Sequence, residues 1–513
     1  LVASAVLLAP VLRSIFARPW RLFAVIFVPV LLICLSWTFA TPRFAAPDEP
    51  AHVIKAAAVD SGQLIGTTSN PSSPVSVVQV PALYRSSLSI PGCFVHKAAL
   101  TPACAPPLSR DVTKLATSIQ NGRYPPLYYW LVGVPSLFAT SPMTIWWMRI
   151  VSTVAVALFL SLALFAALWW SARAGLLVGL VVALTPEVLF FSGVVNPSSL
   201  EIGAAICLWT CGTLIVFEHR ESTPTGLVAI TVGAACVEAC MRGLSLLWVA
   251  LCLLGLALLA GRNGLVALSR QPRVRVGVGV VLVVCGLALA WILGAHALDV
   301  QQARAEAHGA SFGNELGGVL ERQGWWLRQM IGEFNWESTP APFLSYLAWF
   351  VVGFGLFVLT IWRASGRHRV IAVSFVILSV AIPVAIVLSQ YQHLHGIVWQ
   401  GKDGAPLVLG VPIVLGAMYG LHRPTRLDRP AALVALFSVS LAQIFAFAIA
   451  LSRFTNGTGA SFSWFANASW EPPIPAAGLF DFYVVLVLGA AAWFWVLGSS
   501  IARGASRPTV PVR

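Results

Sequence analysis

A chain of 513 residues that is 58% hydrophobic and only 10% charged, with mean hydropathy +0.83, carries far more apolar material than one water-soluble core can bury. Its formal net charge of +13 would suit a nucleic-acid partner only if the Lys and Arg residues formed a patch, and instead they recur in short clusters between apolar runs. A soluble enzyme and a nucleic-acid binder are excluded on these grounds, and apolar runs of roughly 17 to 25 residues exclude an outer-membrane barrel with its alternating strands of about 10.

Hydropathy predicts an all-α polytopic protein with about twelve spans, near 22–40, 143–170, 175–195, 198–217, 227–240, 243–261, 276–298, 342–362, 370–390, 405–421, 431–452 and 479–502. The 227–261 stretch is long for one helix and short for two, and reads as a shallow hairpin. Leu1 to Leu12 is too short to span, and reads as an interfacial segment or the remnant of a longer start. Residues 1–502 form one transmembrane domain, and 503–513 a cytoplasmic tail. Basic clusters at Arg13, Arg18 and Arg21, at Arg262, Arg270, Arg273 and Arg275, at Arg363, Arg367 and Arg369, at Arg423, Arg426 and Arg429, and at Arg503, Arg507 and Arg513 mark cytoplasmic connections with both termini inside. The longer connections, 41–142, 299–341, 391–404 and 453–478, then face outward.

The first outer loop, 41–142, opens on Pro47-Asp48-Glu49-Pro50, a helix-start pattern with Asp48 as N-cap and Pro50 in the first turn. On such a helix Asp48, His52 and Lys55 share one polar face at i, i+4 and i+7. Simple capping by Asp48 and snorkelling by Lys55 is the bland alternative. From Gly62 to Pro107 the loop reads as irregular, with Cys93 and Cys104 as a candidate disulfide in an oxidising compartment. The segment Arg123-Tyr124-Pro125-Pro126-Leu127-Tyr128-Tyr129-Trp130 reads as an interfacial helix, with Arg123 placed to meet a lipid phosphate.

Further along, Glu187 and the pair Glu238 and Arg242 are ionisable groups at membrane depth, the latter two spaced for an ion pair within one helix. Ser198 and Glu201 match an S-x-x-E capping box. The later outer loops carry Trp325, Trp336 and Glu337, residue types suited to stacking on a sugar ring and bonding its hydroxyls, then His393, His395 and Lys402, suited to a phosphate. His393, His395 and Asp403 lack a fourth ligand for zinc, so no metal site is assigned. No P-loop, dinucleotide fingerprint, G-x-S-x-G or H-E-x-x-H pattern is present.

Pro47-Asp48-Glu49-Pro50-Ala51-His52, Val195-Asn196-Pro197-Ser198-Ser199-Leu200-Glu201, Gly332 to Trp336 and Gln400-Gly401-Lys402 resemble, in order and over nearly the whole chain, the bacterial membrane family catalogued as domain of unknown function 2142. That family is common in actinobacteria and is similar to the GT-C glycosyltransferases, whose P-P-L-Y-Y segment looks like Pro125-Pro126-Leu127-Tyr128-Tyr129. One departure is Gln400-Gly401-Lys402-Asp403 in place of Gln-Gly-Arg-Tyr, which keeps the positive charge but loses the guanidinium fork.

The resemblance implies a GT-C-like bundle with a polyprenyl-phosphate-linked sugar as donor. It also implies Asp48, or else Glu49, as the base of an inverting transfer to a cell-envelope glycan or glycolipid. Arg123, Lys55, His52, His393 and Lys402 are then candidates for the donor phosphate, and Tyr128, Trp325, Trp336, Glu337 and His395 for sugar or acceptor. No cofactor is called for, and a divalent cation is left open. The rival readings are a transporter or flippase of lipid-linked saccharides and a non-catalytic assembly protein.

Overall fold

The structure, a computed structural model, describes residues 14–68, 75–171, 173–298, 312–364, 366–394, 399–422, 428–457, 465 and 467–502. The expectations for Leu1 to Leu12, Arg13, Arg423, Arg426, His395 and the tail fall outside them, as does the side chain of His393.

Each of the twelve apolar stretches forms helix. Ten, taken as single helices or as the joined pair α14–α15, are long and apolar enough to cross a membrane. They are α1 (Pro19–Ala40), α4 (Pro142–Ala166), α7 (Pro197–Glu218), α9 (Ser245–Ser269), α10 (Pro272–Gly294), α12 (Phe343–Arg363), α13 (Gly366–Leu394), α14 and α15 (Gly401–Val408, Gly410–Tyr419), α16 (Asp428–Asn456) and α17 (Ala476–Ala502). An eleventh stretch is the pair α5 (Ala174–Ala183) and α6 (Pro186–Ser192), bent by 63° where Pro186 removes a backbone donor. The twelfth, α8 (Thr225–Ala239), has only 15 residues and forms the short arm of the expected hairpin with α9. Two further short helices, α2 (Glu49–Asp60) and α3 (Leu127–Gly133), belong to the first loop, and α11 (Gln323–Gly332) precedes α12.

The centre of the bundle is α7, 94% of whose apolar window is buried, against 22% for α10, α12 and α17. Helices apolar all round divide in this way, because a lipid tail and a Leu side chain are equally good neighbours for their outer faces. Where α5 meets α15 no side chain intervenes: a Cβ on Gly416 would lie 2.2 Å from the Gly175 carbonyl oxygen, and one on Gly179 equally close to that of Pro412. The Gly175-x-x-x-Gly179 spacing permits this backbone-to-backbone approach.

The first loop is more regular than its Ser, Pro and Gly content predicts. Strands β1 (Ser76–Pro81) and β2 (Lys114–Ile119) pair antiparallel with Ser76 opposite Ile119. Cys93 and Cys104 are disulfide-bonded with Cα atoms 5.9 Å apart. Arg453, near the end of α16, donates to the carbonyls of Phe94, Lys97 and Leu100 at 2.8–3.1 Å, tying the bridged loop to the bundle.

Candidate functional site

Five chain ends meet at one end of the bundle: the exit of α1, the starts of α7 and α14, the turn between α8 and α9, and the approach to α12. Arg18, Arg21, Arg262, Arg363 and Arg367 lie at the other ends of these helices or their neighbours.

Asp48 is the one exposed residue between positions 41 and 60. It occupies the N-cap position of α2 but does not cap it, because its backbone is left-handed at φ 64° and its side chain turns away. The carboxylate meets Lys402 Nζ at 3.1 Å, where Lys402 is 8% exposed and Asp48 54%. Burial pushes the Asp48 pKa up, but its charged and polar neighbours, Lys402 foremost, outweigh it, so the carboxyl stays below its ordinary value and ionised at neutral pH. An accessible carboxylate with protein on most sides is one on the wall of a cleft.

Beside this pair a second charge cluster is closed on itself. Arg242 donates to Asp403 Oδ1 at 2.8 Å and to Ser198 Oγ at 2.7 Å, and its Nε lies 3.4 Å from Glu201. Burial works against its charge, but the two carboxylates raise its pKa above the ordinary value. Glu201 also accepts from Ser245 Oγ at 2.5 Å. The expected Glu238 to Arg242 ion pair is therefore corrected. α8 ends at Ala239, so helical spacing no longer relates the two, and the Glu238 carboxylate is buried with no hydrogen-bond partner among the described residues. The capping box is corrected too: Asn196 caps α7 by accepting from Ser198 N at 3.0 Å, which leaves Ser198 and Glu201 to Arg242.

Glu49 stands in a third environment. Wholly buried, it pairs with Arg149 of α4 at 2.6 Å and accepts from the backbone N–H groups of Phe44 and Val195 at 2.7 and 3.1 Å. Arg149 reaches on to the carbonyls of Thr41 and Pro42 at 2.6 and 2.8 Å. Asn196 adds a bond from its amide to the Pro47 carbonyl at 3.1 Å. The two motifs recognised in the sequence thus lock together, and Glu49 is the strut that holds the Asp48 loop rather than a group facing the cleft. Sequence reasoning passed over Arg149, although an arginine in the apolar run 142–166 requires a counter-charge.

The face-sharing expected of Asp48, His52 and Lys55 does not survive. His52 Nδ1 lies 2.7 Å from Asn121 Nδ2 and 2.9 Å from Tyr129 Oη. Burial pushes its pKa down to about 3, so it is neutral at pH 7 and supplies no cation. The Lys55 amine donates to the carbonyls of Leu64 and Gly122, away from Asp48, and burial lowers its pKa to about 7. Arg123 is buried, with its guanidinium 3.3 Å from the His296 carbonyl beyond α10. Tyr128 is buried against Ser152 at 2.9 Å, a packing position and not a stacking platform. Trp325 lies on the outside of α11 under Arg328.

Trp336 and Glu337 are brought to the cleft. Asn335, Trp336 and Glu337 all have positive φ, from 54° to 60°, as do Phe44 and Asp48 opposite, and the Trp336 indole donates to the Phe44 carbonyl at 3.1 Å. Five non-glycine residues in this sparsely allowed region mark two strained segments held face to face. Burial, opposed by Lys402 and aided by Asp403 and Asp48, raises the Glu337 pKa to about 7. Since that carboxyl gains protons on folding, its contribution to stability is full below pH about 4.5 and is lost as pH rises through about 7. Melting temperatures of the detergent-solubilised protein should fall over that interval, and Glu337→Gln should flatten the fall; an unchanged slope would show that Glu337 is not the titrating group.

What this arrangement defines is a polytopic helical membrane protein with an ion-paired, strained cleft at one end of its bundle. Residues 31–400 match the family model described as "Predicted membrane protein (DUF2142)", and the chain belongs to that family. No curated protein matches it. It is similar to the crystal structure of ArnT from Cupriavidus metallidurans in the apo state, at 15% identity over 93% of this chain and 76% of that one, TM-score 0.44. It is also similar to the undecaprenyl-phosphate-bound form of the same protein, at 15% identity over 94% and 78%, TM-score 0.42.

Proposed function

We propose that the protein is a GT-C-type glycosyltransferase of the bacterial plasma membrane that moves a sugar from a polyprenyl-phosphate donor to a cell-envelope glycan or glycolipid. The observation that carries this reading is Asp48: an ionised, accessible carboxylate among buried neighbours, held by a loop that a buried ion pair immobilises. Asp48 takes the proton from an acceptor hydroxyl as that oxygen attacks the anomeric carbon, and the bond to the polyprenyl phosphate oxygen breaks with inversion. Lys402 is the cation for the departing phosphate. Its ammonium is paired with Asp48; a phosphate that draws it away leaves the carboxylate more basic when the acceptor must be deprotonated. Trp336 and Glu337 line the sugar subsite. By the positive-inside rule the arginine-rich connections are cytoplasmic and the cleft is outside.

The test is transfer of labelled sugar from a short-chain polyprenyl-phosphate donor to an envelope acceptor in membranes bearing the protein. Movement of the lipid-linked sugar across the membrane without a new glycosidic bond would replace this reading with transport. Lys402→Gln should also move the acid limb of the kcat/KM profile to higher pH, because the largest influence lowering the Asp48 pKa is gone. An unmoved limb would separate Lys402 from the base.

A further inference from the structure

At the arginine-rich end of the bundle, about 24 Å from the Asp48 cleft along the 16 residues of α9 from Ser245 to Gly261, a cavity of about 890 Å³ opens between α9 and α13. Its walls include Leu258, Leu265, Ile371 and Phe375, and Leu258 and Leu265 are also exposed on the bundle's outer face, so the cavity is open sideways to lipid. Two arginines stand at its rim.

The cavity has a structural cause. α9 breaks at Gly261, where φ is 63° and ψ 177°, and Arg367 fills the break by donating to the freed carbonyls of Leu258 and Leu259. A Cβ on Gly261 would lie 2.8 Å from that guanidinium, so glycine is needed for both the backbone turn and the arginine. Only one nitrogen of Arg367 is used in these bonds, and Arg262 has no ion pair among the described residues. No acid lines this cavity. A second cavity of about 510 Å³ shares Arg367 and continues toward the basic surface, where Glu218 is already paired with Arg173 at 3.2 Å and Glu221 lies 3.4 Å from Arg220.

We propose that this is a binding site for an anionic phospholipid, with the acyl chains between α9 and α13 and the phosphate on Arg262 and Arg367. An apolar groove that ends at uncompensated cations fits an amphiphile with a negative headgroup, and basic recesses between helices on the cytoplasmic side are where such headgroups bind. The larger of these two cavities therefore serves a lipid and not the sugar chemistry, which lies at the opposite end.

The test uses the full chain in detergent with added phosphatidylglycerol, phosphatidylcholine or undecaprenyl phosphate, and reads retained lipid by native mass spectrometry. Phosphatidylglycerol should be retained over phosphatidylcholine, and Arg262→Ala should weaken its retention about fivefold, the effect of one basic residue near a membrane surface. Ser374→Phe, which fills the groove and spares both arginines, should release both phospholipids while the melting temperature holds. Equal retention of the two, no effect of either variant, or displacement of phosphatidylglycerol by undecaprenyl phosphate would overturn the proposal.

Discussion

Membranes carrying Asp48→Asn should transfer sugar about 10²- to 10⁴-fold more slowly than those with the parent protein, the usual range for loss of a positioned general base. Asn is the informative replacement for a backbone reason. Asp48 sits at φ 64°, a region that Asp and Asn tolerate and most side chains do not, so Asn removes basicity without disturbing the loop. Its amide oxygen can still accept from Lys402. Ala would add strain and remove that contact together, and a loss of activity would then have two explanations. Transfer at the parent rate in the Asn variant, with protein level unchanged, would eliminate Asp48 as the base.

The largest effect on stability should come from Arg149→Met. Glu49 would be left as a buried charge with no counter-ion, and the carbonyls of Thr41 and Pro42 would lose the guanidinium's bonds. Breaking a buried pair from one side costs about 3–5 kcal/mol. Glu49→Gln should cost less, since an amide oxygen remains for the Phe44 N–H while Arg149 keeps its carbonyl partners. The double variant Glu49→Gln with Arg149→Met should be more stable than the sum of the two singles predicts. Thermal unfolding in detergent measures all three. Additive losses would mean that the two side chains do not depend on each other, and that the loop is held by its backbone contacts alone.

Each error in the sequence reading has a local physical cause. The twelve apolar stretches were legible because membrane spans must satisfy their backbone internally and therefore declare themselves by length. Cys93 and Cys104 stood out as the two cysteines outside apolar helices. Asp48 was legible as a carboxylate next to a span. Its helical neighbours His52 and Lys55 were assigned to its face on the assumption that Asp48 shares helical dihedrals; its left-handed backbone breaks that register, and they turn into the loop instead. Glu238 and Arg242 failed for a related reason, as the helix ends between them. The separate fates of Asp48 and Glu49 were illegible in principle: which of two adjacent carboxylates is locked away depends on Arg149, 100 positions along the chain.

The glycine contact between α5 and α15 bears on how the cleft keeps its dimensions. Lys402 and Asp403 open α14, the short segment just ahead of the break at Leu409. The Pro406 carbonyl of α14 accepts from the indole of Trp209 on α7 at 3.0 Å. Beyond that break, α15 is pressed against the main chain of α5 at Gly175 and Gly179. Both contacts hold helix backbone, so the point from which the lysine side chain reaches its carboxylate is set by packing inside the bundle. A lineage that changed its sugar would find it easier to alter the Trp336 loop than to move that lysine.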